Sequence, residues 1–207
     1  FYNYRLGHIQ GTQNKRYRTI GDLNSIEQSR RQMQETIDKG KDVEERRKYG
    51  QFSTPFNLAK EIVTYGLSLL SESDIAFLEP CMGSGAFYSA LLSAVNENYC
   101  IQAATGIEID PVYYDCANTL WGNSGISIVN DDFTKISSQH KYNFVITNPP
   151  YVRHHYLTQA AKSYLIEREK EETEIVLSGL AGLYCHFILL AHKWLAPGAI
   201  CGWLIPS

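Results

Sequence analysis

The sequence is marked first by what it lacks. No apolar run approaches the length of a membrane span, and the start, FYNYRLGHIQ, does not have the layout of a signal peptide. The five cysteines, Cys81, Cys100, Cys116, Cys185 and Cys201, form no CxxC pair, which excludes a zinc knuckle and a thioredoxin-type motif. An odd number of unpaired-looking thiols suits a reducing cytoplasm. The six histidines make no HExxH pattern, and the adjacent His154 and His155 would point to opposite sides of most backbones, so no metal site is expected. There is no GxxxxGK[ST] loop, hence no sign of an ATPase.

What remains is an ordinary globular composition, 44% hydrophobic and 20% charged over 207 residues, enough for one large domain. The net charge of −3 argues against a compact, self-sufficient nucleic-acid binder. It is unevenly spread: residues 1–50 hold eleven Lys/Arg against seven Asp/Glu, and the rest of the chain is acidic. A basic arm on an acidic body could touch phosphates, or could be only a solvated helix.

Residues 1–21 read as irregular. Asp22 to about Lys48 reads as a charged helix pair broken near Gly40, with few apolar anchors and a packing partner expected outside this chain. Thr54 is a plausible N-cap with Pro55 in the first helical turn. Five apolar stretches then alternate with helical ones: IAFLE (75–79), ATGIE (104–108), ISIVN (126–130), NFVIT (143–147) and AICGWLI (199–205). Asp110 and Pro111 open one intervening helix, and Pro197-Gly198 is expected to stop the apolar helix LYCHFILLAHKWL. This order predicts a doubly wound α/β domain with a parallel sheet, whose ligands sit at the carboxyl ends of the strands.

Gly83 and Gly85 in EPCMGSGAF allow close backbone approach to a ligand. Tyr88 stands where a nicotinamide fingerprint needs its third glycine. Glu108 ends the next strand, the usual place for a carboxylate that grips ribose hydroxyls, and Asp132 follows the third strand, where it can accept from an adenine amine. A ribose-containing cofactor without a pyrophosphate fits this set.

The succession YGQFSTP, FLEPCMGSGAF, GIEIDP, NDDF, FVITNPPYV and LYCHFILLAHKWLAPGAICGWLIPS resembles the gamma-class adenine-specific DNA methyltransferases of bacterial restriction–modification systems. The resemblance runs from about Tyr49 to Ser207 and leaves residues 1–48 as a separate extension. It implies a Rossmann-like methyltransferase fold, S-adenosylmethionine as cofactor, double-stranded DNA as substrate and a bacterial cytoplasm. It places Thr54 and the turn residues Glu79, Cys81, Gly83 and Gly85 at the methionine part, Glu108 with Ile109 at the ribose, and Asp132 with Phe133 at the cofactor's adenine. Asn148 would border both cofactor and target.

Two successive prolines end the strand at NPPY, because neither can donate a ladder hydrogen bond. An adenine amine is a weak nucleophile, its lone pair being delocalised into the ring. Hydrogen bonds accepted by the Asn148 side-chain oxygen and the Pro149 carbonyl would pull that nitrogen toward tetrahedral geometry, with Pro149 and Pro150 fixing both directions. Tyr151 would stack on the flipped base and thereby offset part of the flipping cost. A cytosine C5 enzyme would need a thiolate at this strand end, so that chemistry is excluded. Arg153 is the candidate phosphate contact, while EREKEETE within 156–180 is too acidic for DNA and reads as a solvated helix.

In the gamma class the chain continues into a hairpin that completes the sheet and a target-recognition region. With Phe1 in place of Met, a piece of a longer protein is expected, truncated after the fifth strand, with AICGWLI left as an uncovered edge and little activity alone. A fused or partner endonuclease is compatible with the helical N-terminus. Methylation of protein glutamine, of adenine in RNA or of a cytosine amine, and a silent scaffold subunit, are the alternatives.

Overall fold

The computed structural model describes residues 20–137 and 140–205. The expected irregular segment lies, up to residue 19, outside the described residues, as do Pro206 and Ser207. Helices α1 (Ile20–Gly40) and α2 (Val43–Lys48) come first, followed by α3 (Phe56–Leu69). Strand β1 (Asp74–Glu79), α4 (Ala86–Ala94), β2 (Cys100–Glu108), α5 (Pro111–Trp121), β3 (Ser127–Asn130) and β4 (Tyr142–Thr147) alternate after it. Helices α6 (Gln159–Thr173) and α7 (Leu183–Ala191) then lead to β5 (Leu195–Trp203).

The five strands form one parallel sheet in the order β3-β2-β1-β4-β5. Alternate strand residues face opposite layers, as the period-2 geometry of a strand requires. Ile75, Phe77, Phe144 and Ile146 join α3, α4 and α5 in one core, while Leu78, Ile107 and Val145 join α6, α7 and Trp194 in the other. The doubly wound reading of the sequence therefore holds. The order reverses between β1 and β4, so the turns that follow these two strands meet at one edge.

Local signals were read well where they act locally. Asp110 caps α5 by accepting from the Val112 amide at 3.0 Å, with Pro111 in the first turn. Other expectations need correction. Thr54 does not cap α3: the cap position is Pro55, without a side-chain bond, and the Thr54 hydroxyl accepts instead from the Asn148 side chain at 3.2 Å. Pro197-Gly198 does not stop a helix. Helix α7 ends at Ala191, a 3-10 turn spans His192–Trp194, and β5 runs through the Pro-Gly pair with an irregular register between Tyr142 and Phe144 of β4. Among the described residues strand β5 pairs only with β4, and so stands at the sheet edge as expected.

Helix α1 is solvated on one side only and finds a packing partner within this chain, because its other side lies on α4 and α5. Glu27 and Arg30, both almost wholly buried, form a forked ion pair at 2.7 and 2.8 Å, and Ser89 of α4 donates to Glu27 at 2.6 Å. Helix α6 likewise has a buried face: Glu169 pairs with His186 of α7 and accepts from the Leu177 amide at 3.0 Å.

Burial alone would push the Glu27 carboxyl up, but the bonds from Arg30 and Ser89 and the Arg30 charge outweigh it and hold it below its ordinary value. A depressed carboxyl stabilises the fold above the ordinary glutamate value and ceases to do so as pH falls through the depressed one. Glu27→Ala, which leaves Arg30 buried without its partner, is expected to lose about 3–5 kcal/mol at pH 7. That difference from wild type should narrow as denaturant titrations are repeated below the glutamate range, and a gap that widens on acidification would refute the assignment.

Candidate active site

Where the β1 and β4 turns meet, a cleft of about 750 Å³ opens. Its walls include Cys81 and Gly83 from the first turn, Glu108 and Ile109 after β2, Asp132 and Phe133 after β3, and Asn148 and Pro150 after β4. Eight residues expected from the sequence are thus brought to one cavity. Thr54, Glu79, Gly85, Pro149, Tyr151 and Arg153 are not among its lining residues.

Those standing behind the wall have structural tasks. Glu79 is buried and accepts from the Tyr88 amide at 3.1 Å, so it satisfies a free N–H at the start of α4, where Gly85 occupies the cap position without a side chain of its own. Burial drives the Glu79 carboxyl well above its ordinary value, and the Tyr88 and Phe87 amides and the Arg30 charge only partly counter this. Gly85 adopts φ +84°, and a Cβ there would lie 2.5 Å from Trp121 Nε1, so glycine is needed for packing rather than for a ligand. At Gly83, with φ +54°, a Cβ would meet nothing within 4 Å, so the turn is open toward the cleft.

Glu108 organises the wall between β1 and β2. One carboxylate oxygen accepts from the Gly83 amide at 2.7 Å and the other from the Asp110 amide at 2.9 Å. Burial is the largest influence on it and raises its carboxyl above the ordinary value. Asp132 accepts from the Thr134 amide and hydroxyl at 3.0 and 2.7 Å, and Lys135 lies 3.3 Å from its other oxygen. Phe133 forms the apolar floor between Phe187 and Trp194, with ring centroids at 5.3 and 5.2 Å. Acidic ends on two adjacent strands beside an apolar floor suit a ribose and a heteroaromatic ring, so the cleft fits an adenosine-bearing cofactor.

The Asn148 amide is oriented by its nitrogen, which donates to the Phe52 carbonyl at 2.9 Å and to Thr54 at 3.2 Å. Its oxygen is buried and has no hydrogen-bond partner, an arrangement that normally costs about 1–3 kcal/mol. Tyr151 donates its hydroxyl to the Leu204 carbonyl at 2.7 Å, and its ring stacks on Phe52 at 5.7 Å and 27°. Phe52 was missed by sequence reasoning, though it lies inside the quoted GQFSTP stretch. Gln34, Lys41 and Gln51 also line the cleft, and no sequence signal marks them. Lys41 pairs with Asp110 and lies over the Tyr113 ring at 4.6 Å, and Gln51 donates to Asp110 at 2.9 Å. Among the described residues there is no His/Cys/Asp/Glu cluster fit for a metal ion and no helix long and apolar enough to cross a membrane.

Cys81 faces this cleft, yet burial and the neighbouring Glu108 charge push its thiol well above the ordinary range. Cys116 is pushed to about 11 by burial, whereas Cys100 is exposed. Because the thiolate is the reactive form, Cys100 is expected to alkylate with iodoacetamide at pH 8 at least about tenfold faster than Cys81 or Cys116. Peptide mass spectrometry over a time course checks this, and equal labelling of Cys81 would contradict it.

Residues 97–207, more than half of the chain, match the family model of the Eco57I restriction-modification methylase. The type II methyltransferase M.AccI of Acinetobacter calcoaceticus is 30% identical over 166 residues, which cover 80% of this chain and 29% of that protein. The chain therefore spans under a third of that relative's length. In fold it resembles the type IIG restriction endonuclease BpuSI, with a TM-score of 0.67 at 17% identity over 84% of this chain and 21% of the other. It also resembles a class I S-adenosylmethionine-dependent methyltransferase from Listeria monocytogenes, with a TM-score of 0.66 at 15% identity over 89% and 54% of the two chains. The methyl donor of such an enzyme is S-adenosylmethionine. The Gly turn, the acidic strand ends and the Asn-Pro-Pro-Tyr turn stand on the matching fold, and the chain belongs to the Eco57I restriction-modification methylase family.

Proposed function

We propose that this chain is the catalytic part of a site-specific DNA methyltransferase that methylates the exocyclic amine of an adenine flipped out of the duplex. The observation that carries the reading is the buried Asn148 oxygen without a partner, on an amide whose orientation is already fixed by Phe52 and Thr54. Such an atom is an acceptor prepared for a donor that arrives with the substrate. An amine carrying two hydrogens supplies one donor for Asn148 and a second for the Pro149 carbonyl. Those two bonds draw its nitrogen toward tetrahedral geometry and free the lone pair for attack.

S-adenosylmethionine supplies an electrophilic methyl group for direct displacement. The residues proposed to hold it are those that line the cleft: Cys81 and Gly83 at the turn, Glu108 and Ile109 toward the ribose hydroxyls, and Asp132 with Phe133 about the adenine. Asn148 borders this pocket and the target alike. Thr54 acts through its bond to Asn148, and Glu79 and Gly85 act through the geometry of α4. Tyr151 offers a ring face worth about 1–3 kcal/mol per stacked base, comparable with the cost of flipping. Phe52 covers one face of that ring at 5.7 Å, and its carbonyl keeps Asn148 in place. Arg153 is the proposed phosphate contact.

Residues 49–207 form the catalytic domain in this proposal and 1–48 its N-terminal extension. Target recognition by a region outside this chain, a fused or partner endonuclease and a bacterial cytoplasmic location belong to the same reading. The shares of M.AccI and BpuSI that the chain spans, 29% and 21%, leave room for such regions.

The test uses the full-length protein, expressed in cells without their own adenine methylation, with nucleoside mass spectrometry of the genomic DNA. N6-methyladenine is expected in the wild type. Asn148→Ala should lower the rate by on the order of 10²-fold or more, with cofactor binding retained. Methyladenine at wild-type level in the variant would remove Asn148 from the mechanism. N4-methylcytosine instead of methyladenine would reassign the base, and no methylated base in either sample would turn attention to protein glutamine or RNA.

A further inference from the structure

Helix α1 lies outside the alternating strand–helix frame, yet it holds the Gly turn from behind. Arg30 is 3% exposed. Its Nε and one terminal nitrogen fork the Glu27 carboxylate, and its other terminal nitrogen donates to Ser84 Oγ at 2.8 Å. Ser84 stands between Gly83 and Gly85, and its backbone carbonyl accepts from Trp121 Nε1 at 2.9 Å. Ser84, between the two glycines, is thus gripped through its side chain and its carbonyl.

The front of the turn is tied to the same helical unit by a longer route. Lys41, in the link between α1 and α2, pairs with Asp110, and the Asp110 amide donates to Glu108. The other Glu108 oxygen receives the Gly83 amide. Gln34 of α1 reaches the cleft itself.

A turn with two left-handed glycines is weakly specified by its own backbone, since glycine gives up the most conformational freedom on ordering. Gly83 has open space on the cleft side, so its rigidity must come from elsewhere. Ordering it in advance spares the ligand that cost on binding. We propose that Arg30 is a positioning residue for cofactor binding, acting through Ser84 on the Gly turn, and that α1 is an integral part of the cofactor site. The inference rests on the reading of that turn as the cofactor's cradle. Arginine is required because lysine cannot fork Glu27 and reach Ser84 at once.

The test is steady-state methylation by the full-length protein with S-adenosylmethionine varied at saturating DNA, on Arg30→Lys, Ser84→Ala, the double variant and Glu108→Ala. Thermal unfolding of each variant establishes that it is folded. Arg30→Lys and Ser84→Ala should each raise KM for the cofactor about five- to tenfold, the worth of one typical net hydrogen bond, with kcat within about threefold. The double variant should be no worse than the worse single one, because both changes remove the same contact. KM values near wild type in both singles, while Glu108→Ala raises KM, would overturn the positioning role and leave the cradle reading intact. A fall in kcat without a change in KM would overturn it as well. No change of KM in Glu108→Ala would overturn the cradle reading and the inference together.

Discussion

A parallel sheet whose strand order reverses beside β1 has only one way to place the turns after β1 and β4: side by side at the carboxyl edge. The chemistry of this protein depends on that constraint. The Gly turn follows β1 and the Asn-Pro-Pro-Tyr turn follows β4, and 62 residues separate Asn148 from Ala86 at the start of α4. No local propensity brings those turns together. The pairing of Phe77 with Phe144 and Leu78 with Val145 does so, and the rest of the site is built against this central pair.

Upon this frame the polar groups form a chain rather than a set of separate contacts. Glu108 ties the Gly turn to Asp110, Asp110 ties Lys41 and Gln51 to the wall, and Arg30 ties the back of the turn to α1. At the cleft, the Asn148 oxygen is buried without a partner, while Glu79 behind it is fully engaged. Glu79 shows the difference. It lies in the EPCMGSGAF motif beside Cys81, but its carboxylate is spent on the first amides of α4 and is sealed from the cavity. Motif membership and ligand contact are therefore different properties, even for neighbouring residues.

Much of this was legible in the sequence because the controlling signals were local. Apolar runs of five to seven residues between helical patterns announced a sheet buried on both faces, and Asp110-Pro111 announced a capped helix. The failures share one cause. Thr54 has the composition of an N-cap, but its hydroxyl serves Asn148, a partner 94 residues away. Pro197-Gly198 has the composition of a helix stop, but tertiary pairing with β4 draws the chain into a strand before the proline is reached. Arg30 and Lys41 looked like members of a charged, solvated helix because their partners, Ser84 and Asp110, are 54 and 69 residues distant. A charge pattern records what a side chain is, while burial is decided by elements that a local window does not contain.

That distinction bears on how the two halves of the site are held. In the proposed reading of the site, Asn148 on the target side is fixed by the Phe52 carbonyl and Thr54 hydroxyl, both just ahead of α3, and Tyr151 is fixed by the Leu204 carbonyl just past β5. On the cofactor side, the turn is fixed by α1 and α5. The two sets of supports are joined at α1, because Ser53, between Phe52 and Thr54, donates to Asp38 at 3.2 Å and Lys41 donates to Gln51 at 3.3 Å. A shift of α1 would therefore act on the Gly turn and on the segment that orients the Asn148 amide together. In-line displacement depends steeply on the distance between donor and acceptor. In the proposed reaction a helix outside the sheet thus has leverage on the geometry, although none of its residues need touch the reacting atoms.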